Sequence, residues 1–114
     1  QFSIIGDWTV TSYTLSDGTN VLATFDYINY TLNSDNSYFQ YIGVSGDDIL
    51  LTGTYTIEGS NNTTGSNNTT FSFYDVSGEL ISVSTIVSIS STTLELTFNV
   101  PDSTLTANIR LVRL

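Results

Sequence analysis

The sequence predicts an all-β fold, an eight-stranded antiparallel up-and-down barrel formed by a single domain that spans residues 1–114. Apolar and polar residues alternate along most of the chain, as in the segment TLELTFNV at 93–100. A period of two places successive side chains on opposite faces of a strand. One apolar and one polar face are typical of antiparallel sheets. Helical spacing is absent, turn-forming residues recur at regular intervals, and 114 residues is the length of one domain.

The turn signals define the strands in chain order. Asp17-Gly18 favours a tight hairpin because both residues tolerate positive φ. Further reversals are predicted at 33–37, 45–48, 77–78, 90–91 and 101–102. The predicted strands are 6–15, 21–32, 38–44, 49–57, 69–76, 80–89, 92–100 and 104–113. Closing this meander into a barrel removes the two edges that an open sheet would expose.

The same alternation predicts the side chains that face the interior. They are Trp8, Val10, Tyr55, Ile57, Phe71, Phe73, Val83, Val87, Leu94, Leu96 and Phe98. An eight-stranded barrel is just wide enough either to be filled by side chains or to hold one small ligand. The sequence leaves both outcomes open. For a hollow barrel, the predicted ligand-binding residues are Tyr55, Phe71, Phe73, Val83, Leu96 and Phe98.

An aromatic stripe follows the third and fourth predicted strands. It consists of Tyr27, Tyr30, Tyr38, Phe39 and Tyr41. Aromatic side chains on neighbouring strands stabilise a sheet by pairing across it. Alternatively they form the rim of a pocket, where a phenol offers an apolar body with a polar tip.

The charge balance disfavours several classes of partner. The chain has 2 Lys+Arg against 11 Asp+Glu, a net charge of -9. Phosphate backbones and anionic lipids repel such a chain, so we expect no nucleic-acid partner. No apolar run approaches the roughly 20 residues of a membrane helix, and we expect no membrane insertion.

The chain lacks the residue types that most catalytic and metal-binding sites use. The chain contains no His, no Cys and no Lys. Ser-His and Cys-His nucleophiles, thiolate or imidazole zinc sites and Schiff bases therefore have no basis. Hydrolysis by a pair of carboxylates, as in glycosidases, needs no His, Cys or Lys. The candidate carboxylates fall in predicted turns or on polar faces and show no shared cleft; they are Asp26, Asp47, Asp48 and Glu95. We expect no catalytic residues, no metal site, no cofactor and no enzymatic activity.

Composition indicates a location outside the cytoplasm. Ser, Thr and Asn make up 45 of the 114 residues, a pattern typical of secreted or cell-surface β-proteins. The chain starts directly ahead of a strand-like segment, so we expect a mature chain without its targeting segment. The motif GSNNTT occurs twice, at 59–64 and 65–70, and predicts an exposed loop. Asn-x-Thr sequons begin at Asn29, Asn61, Asn62, Asn67 and Asn68.

Three segments carry a family resemblance. They are IGDWTV at 5–10, with its Gly6-Asp7-Trp8, GTYTI at 53–57 and ISSTTLEL at 89–96; an arginine lies in the last strand. Together they resemble the short lipocalin-like domains of exported bacterial proteins. The resemblance implies a β-barrel that binds a small apolar or amphipathic molecule, with Gly6, Trp8 and an arginine in structural roles.

Strand parity selects the arginine. Arg113 shares a face with Ile109 and Leu111, so it points inward over Trp8, whereas Arg110 lies on the outer face. A guanidinium over the indole face gains a cation–π contact of about 1 kcal/mol.

A second hypothesis makes the chain a self-associating extracellular structural or adhesive subunit. Phe2, Ile4 and Ile5 form an apolar segment ahead of the first turn. Such a segment could add as a strand to the sheet edge of a neighbouring copy.

Overall fold

A computed structural model describes residues 2–57, 62–63 and 69–114 of the chain. The strands are β1 Phe2–Ser3, β2 Gly6–Leu15, β3 Tyr27–Leu32, β4 Ser37–Val44, β5 Asp47–Ile57, β6 Asn62–Thr63, β7 Thr70–Asp75, β8 Leu80–Ile89, β9 Thr93–Asn99 and β10 Thr106–Arg113. A short 3₁₀ helix covers Val21–Thr24. The predicted loop formed by the GSNNTT repeat, with most of its sequons, lies largely outside the described residues.

Eight strands close into an antiparallel up-and-down barrel in the order β10-β2-β3-β4-β5-β7-β8-β9. The predicted fold class is therefore confirmed. Each barrel strand pairs with the next one along the chain, and β10 closes the barrel by pairing with β2 as well as β9. The two-residue strands β1 and β6 form a separate small sheet. Apart from the third strand, the predicted barrel strands agree with the observed ones to within two residues at each end.

The third predicted strand, 21–32, is wrong in its first half. Strands β2 and β3 pair only from Gly6 to Thr9, so residues before Tyr27 have no continuous ladder to join. Val21–Thr24 instead forms the 3₁₀ helix, in which the Thr24 hydroxyl donates a hydrogen bond to the Val21 carbonyl at 2.8 Å. Leu22 and Phe25 pack against the core from this segment. Their apolar character reflects packing beside the barrel and not membership of a strand.

Three reversals share one hydrogen-bonding arrangement. In each, an aspartate accepts hydrogen bonds from the hydroxyl and the backbone N–H of a Ser or Thr two positions later. The pairs are Asp17 with Thr19, Asp35 with Ser37, and Asp75 with Ser77. The hydroxyl bond is the largest cause of the lowered pKa of each aspartate. The backbone bond from the same Ser or Thr is second for Asp17 and Asp35, and the backbone bond from Glu79 is second for Asp75. This local chemistry explains why the turns were visible in the sequence.

The inward face of β8 was predicted incorrectly. Val83 is 47% exposed and Val87 is 42% exposed, so both point away from the interior. The reason is the register with β7. Directly paired residues of neighbouring strands share a face of the sheet, and the inward Phe71 and Phe73 pair with Ser84 and Ser82. Ile86 lies on the same face as these serines, and a register shift between Ile86 and Ser88 then turns Ile89 inward. The interior therefore receives Ser82, Ser84, Ile86 and Ile89 from this strand.

The other predicted inward positions agree with the structure. Those buried in the core are Trp8, Val10, Tyr55, Phe71, Leu94 and Leu96, while Ile57 and Phe73 pack against them partly buried. Phe98 is also partly buried.

Candidate functional site

One end of the barrel is closed by Trp8 and Arg113. The indole is fully buried, and the Arg113 guanidinium carbon lies 4.2 Å from the ring centroid. The indole N–H donates to the Ile4 carbonyl at 2.8 Å. Arg110 is exposed on the opposite face of β10. The predicted stacking of Arg113 on Trp8, and the choice of this arginine over Arg110, are confirmed.

Arg113 also donates hydrogen bonds to backbone segments that are distant from it in sequence. Its two terminal nitrogens donate to the carbonyls of Ser3 and Ile5, both at 2.7 Å, and Nε donates to the Ser91 carbonyl at 3.0 Å. Gly6 lies against this guanidinium with φ +136°, and a Cβ there would approach Nη1 to 2.5 Å. The glycine is therefore needed for both its backbone conformation and the close approach.

The N-terminal segment is already used within the chain. Ile4 is fully buried in the core, and Phe2–Ser3 pairs with β6. In this structure the segment therefore pairs within its own chain, and its pairing with a neighbouring copy stays a prediction. Ile4 packs in the core beside Trp8, whose indole N–H donates to the Ile4 carbonyl.

The half of the barrel next to Trp8 is filled. Phe71 is 1% exposed and meets the Tyr55 ring edge-on at 5.7 Å between centroids. The Tyr55 hydroxyl donates to the Asn33 carbonyl at 2.7 Å. Tyr55 and Phe71 were predicted to bind a ligand, but the structure places them in this packed region, outside the cavity described next.

The opposite half contains a cavity of about 230 Å³. Of the predicted ligand-binding residues, Phe73, Leu96 and Phe98 line it, whereas Val83 points outward. The remaining apolar lining comes from Val10, Phe25, Ile28, Ile42, Ile81 and Ile109. The interior is therefore filled in one half and hollow in the other. The sequence had left open a filled barrel and a hollow one, and the structure lies between these two outcomes.

Several neutral polar side chains also line the cavity. They are Tyr13, Tyr30, Tyr38, Gln40, Ser82 and Ser84. Gln40 Nε2 donates to the Tyr30 hydroxyl at 2.9 Å. Phe73 stacks on the Tyr30 ring at 5.7 Å and meets the Tyr38 ring edge-on at 4.8 Å between centroids. These ring contacts hold the two phenols in fixed positions at the cavity wall.

The phenols stay protonated at ordinary pH. Desolvation by burial raises the pKa of Tyr13, and it is the main cause of the raised pKa values of Tyr30 and Tyr38. The Asp75 carboxylate adds to the increase in the pKa of Tyr38. Each hydroxyl is therefore a neutral group that can donate a proton to a hydrogen bond.

The aromatic stripe divides between the two faces of the sheet. Tyr30 and Tyr38 line the cavity, as the pocket interpretation required. Phe39 and Tyr41 alternate with Tyr38 on the outer face, where their rings are 6.4 Å apart. Tyr27 packs over Gly43 on that face.

Sequence reasoning missed part of the lining. Tyr13, Phe25, Gln40, Ser82 and Ser84 come from separate segments, and the pairing of strands brings them together. The sequence contains one signal for the cavity, namely the small serines of β8. A serine paired with a large aromatic residue fills less of a barrel interior than an apolar side chain would. Using that signal requires the register between β7 and β8, which the sequence does not state.

An outer groove adjoins the cavity at a gap between two strands. Pairing of β8 with β9 begins at Thr85 and Thr97, so the first part of β8 has no partner in β9. Ile81, Ser82 and Phe98 line both this groove and the cavity. They therefore lie at the boundary between the cavity and the groove.

Among residues 2–57, 62–63 and 69–114, no three His, Cys, Asp or Glu side chains lie close enough together to hold a metal ion. No helix in those ranges is long and apolar enough to cross a bilayer. No protein-family model matches the chain, and comparisons with curated proteins and with solved structures also give no match.

Proposed function

We propose that this chain is a lipocalin-like, non-catalytic protein that binds one small apolar or amphipathic molecule outside the cytoplasm. The observation that carries the proposal is the cavity of about 230 Å³ in the half of the barrel opposite Trp8. Ligand pockets are mostly apolar and contain a few convergent polar groups, and this lining has that character.

The size of the cavity limits the ligand. An apolar cavity of about 150 Å³ accommodates benzene. The larger cavity here suits a single substituted ring or a short chain of similar volume. Binding would remove apolar surface of both ligand and protein from water, which is the driving force for association.

The location outside the cytoplasm is supported by composition. The chain is rich in Ser, Thr and Asn, lacks Lys and Cys, and carries a net charge of -9. The Trp8–Arg113 stack, with Gly6 beside it, supports the lipocalin-like assignment.

Ethylbenzene binding tests the proposal. We expect saturable one-to-one binding to the wild-type protein, followed by NMR chemical shifts. Ser84→Leu places a larger apolar side chain in the cavity and should weaken binding at least about tenfold. The leucine takes space from the ligand, and each methylene group of the ligand that can no longer be buried loses roughly 1 kcal/mol of binding free energy. Ser82→Val serves the same purpose if the leucine destabilises the barrel.

Val83→Leu is the matched control, because it enlarges a neighbouring side chain that points outward. It should bind ethylbenzene as the wild type does. Absence of saturable binding to the wild type would refute the proposal. Unchanged binding by the folded Ser84 and Ser82 variants would place the site elsewhere.

A second candidate function is self-association through the β4–β5 hairpin. Residues 47–52 of β5 are all exposed, and they include Ile49, Leu50 and Leu51. They pair with β4 on one side, whereas pairing with β7 starts only at Gly53. The other edge of this segment is therefore open in the part of the chain described, and an open apolar edge favours strand addition by a second copy.

Sedimentation velocity tests this second candidate. We expect the wild type to form dimers at high concentration in high salt, which screens the repulsion between Asp47 and Asp48 of the two copies. Leu50→Lys should restore the monomer, whereas Val76→Lys, at an exposed turn residue, should not. A wild-type protein that stays monomeric under these conditions would exclude the candidate.

A further inference from the structure

The cavity contains hydroxyl groups that the protein leaves without a hydrogen-bond partner. Tyr38 is 2% exposed and Ser84 is 5% exposed. Within the part of the chain that the structure describes, neither side-chain hydroxyl makes a hydrogen bond, and both open onto the cavity. No fully buried side-chain polar atom among the described residues lacks a partner, so these two hydroxyls are accessible. They are therefore available to a ligand that carries a polar atom.

The hydroxyl of Tyr30 is oriented as a donor. Its oxygen accepts the hydrogen bond from Gln40 Nε2, and its single proton remains available. Gln40 lies on β4 directly opposite Tyr30 of β3 in the sheet register, so the amide fixes the position of the phenol oxygen. The stacked Phe73 ring restrains the phenol from the other side. A fixed donor at the wall of an apolar cavity favours a ligand with an acceptor atom.

The surroundings disfavour charged ligands. Along the described residues, no Asp, Glu or Arg side chain lines the cavity. An anion would lose its hydration without meeting a cation, and the net charge of -9 would repel it. A cation would find no carboxylate in the cavity to replace its hydration. A neutral ligand avoids both penalties.

From this arrangement we infer that the cavity selects a neutral molecule with a carbonyl group beside an apolar ring or chain, and that Tyr30 donates a hydrogen bond to the carbonyl oxygen. The inference rests on the proposed binding function and names the chemical class of the ligand. Tyr30 is then the residue that determines specificity, while Phe73, Leu96 and Phe98 supply the apolar contacts.

Acetophenone and ethylbenzene form a matched pair of probes, because a carbonyl in the first replaces a methylene group in the second. We expect the wild type to bind acetophenone about fivefold to tenfold more tightly, the ratio expected for one net hydrogen bond. Tyr30→Phe should abolish this preference, so that the two probes bind the variant with similar affinity. Saturable ethylbenzene binding by this variant also shows that it is folded and retains the cavity.

Tyr27→Phe is the matched control, since Tyr27 lies on the same strand but packs over Gly43 on the outer face. It should preserve the preference for acetophenone. Equal binding of the two probes by the wild type, or a preference that survives in Tyr30→Phe, would overturn the inference and leave the binding function standing. Benzoate binding as tight as acetophenone binding would overturn the selection of neutral ligands. If ethylbenzene does not bind the wild type, the proposed function fails and the inference fails with it.

Discussion

Replacing Arg113 with alanine is expected to lower the free energy of unfolding by about 3 kcal/mol, since hydrogen bonds from charged groups are worth roughly 1.5–3 kcal/mol each and partial exposure reduces their sum. The variant loses three hydrogen bonds to backbone carbonyls of the N-terminal segment and the β8–β9 turn. It also loses the cation–π contact with Trp8, worth about 1 kcal/mol. Urea unfolding followed by the fluorescence of Trp8, the single tryptophan, measures the loss.

Arg110→Ala is the control for this prediction. Arg110 is on the same strand and has the same charge, but its side chain is exposed on the outer face. Its replacement should change the free energy of unfolding by no more than about 0.5 kcal/mol. Arg113→Lys should recover only part of the loss, because an ammonium group lacks the planar fork of donors. A loss for Arg113→Ala no larger than that for Arg110→Ala would contradict the role of Arg113 in closing the barrel.

The sequence predicts this closed end well because the information is local. Arg113 follows Ile109 and Leu111 at the spacing of a strand face, so parity alone places it inward. Gly6 and Trp8 lie two residues apart at the start of a strand with clear alternation. Barrel closure follows from the number of strands and the short turns, which are also local features.

The interior surface of β8 could not be predicted in the same way. Ile81, Val83 and Val87 alternate with polar residues and have the pattern of a buried face. The structure nevertheless turns two serines inward, because the register pairs them with the inward-facing Phe71 and Phe73 of β7. A shift of one residue in register moves every side chain of a strand to the other face. Register depends on the partner strand, so the local pattern was misleading.

The presence of the cavity is even harder to predict from local sequence than the register of β8. Its polar lining combines Tyr13 of β2, Gln40 of β4 and Ser84 of β8. Whether space remains among them depends on the summed volumes of side chains from many strands. The segment before Tyr27 adds to this difficulty, since Phe25 reaches the cavity from outside the strands. Sequence alone therefore identified the fold and the closed end, but only part of the candidate site.

The difference between the two halves of the interior gives the second prediction with a large expected effect. Phe71→Ala should reduce the free energy of unfolding by about 4 kcal/mol, because removal of a fully packed ring leaves a new cavity. That ring is 1% exposed and contacts the rings of Tyr55 and Phe73. Phe98→Ala should lose only about 1 kcal/mol, since its partly buried ring already borders both the cavity and the outer groove.

The free energies of unfolding of these two variants, measured by urea denaturation under identical conditions, test most directly whether the barrel is filled at one end and hollow at the other. The account predicts a loss for Phe71→Ala several times that for Phe98→Ala. The same residue change is made in both, so the comparison reports on the surroundings of each ring. Equal and large losses would mean that Phe98 is as tightly packed as Phe71, and would contradict a ligand cavity in this half of the barrel.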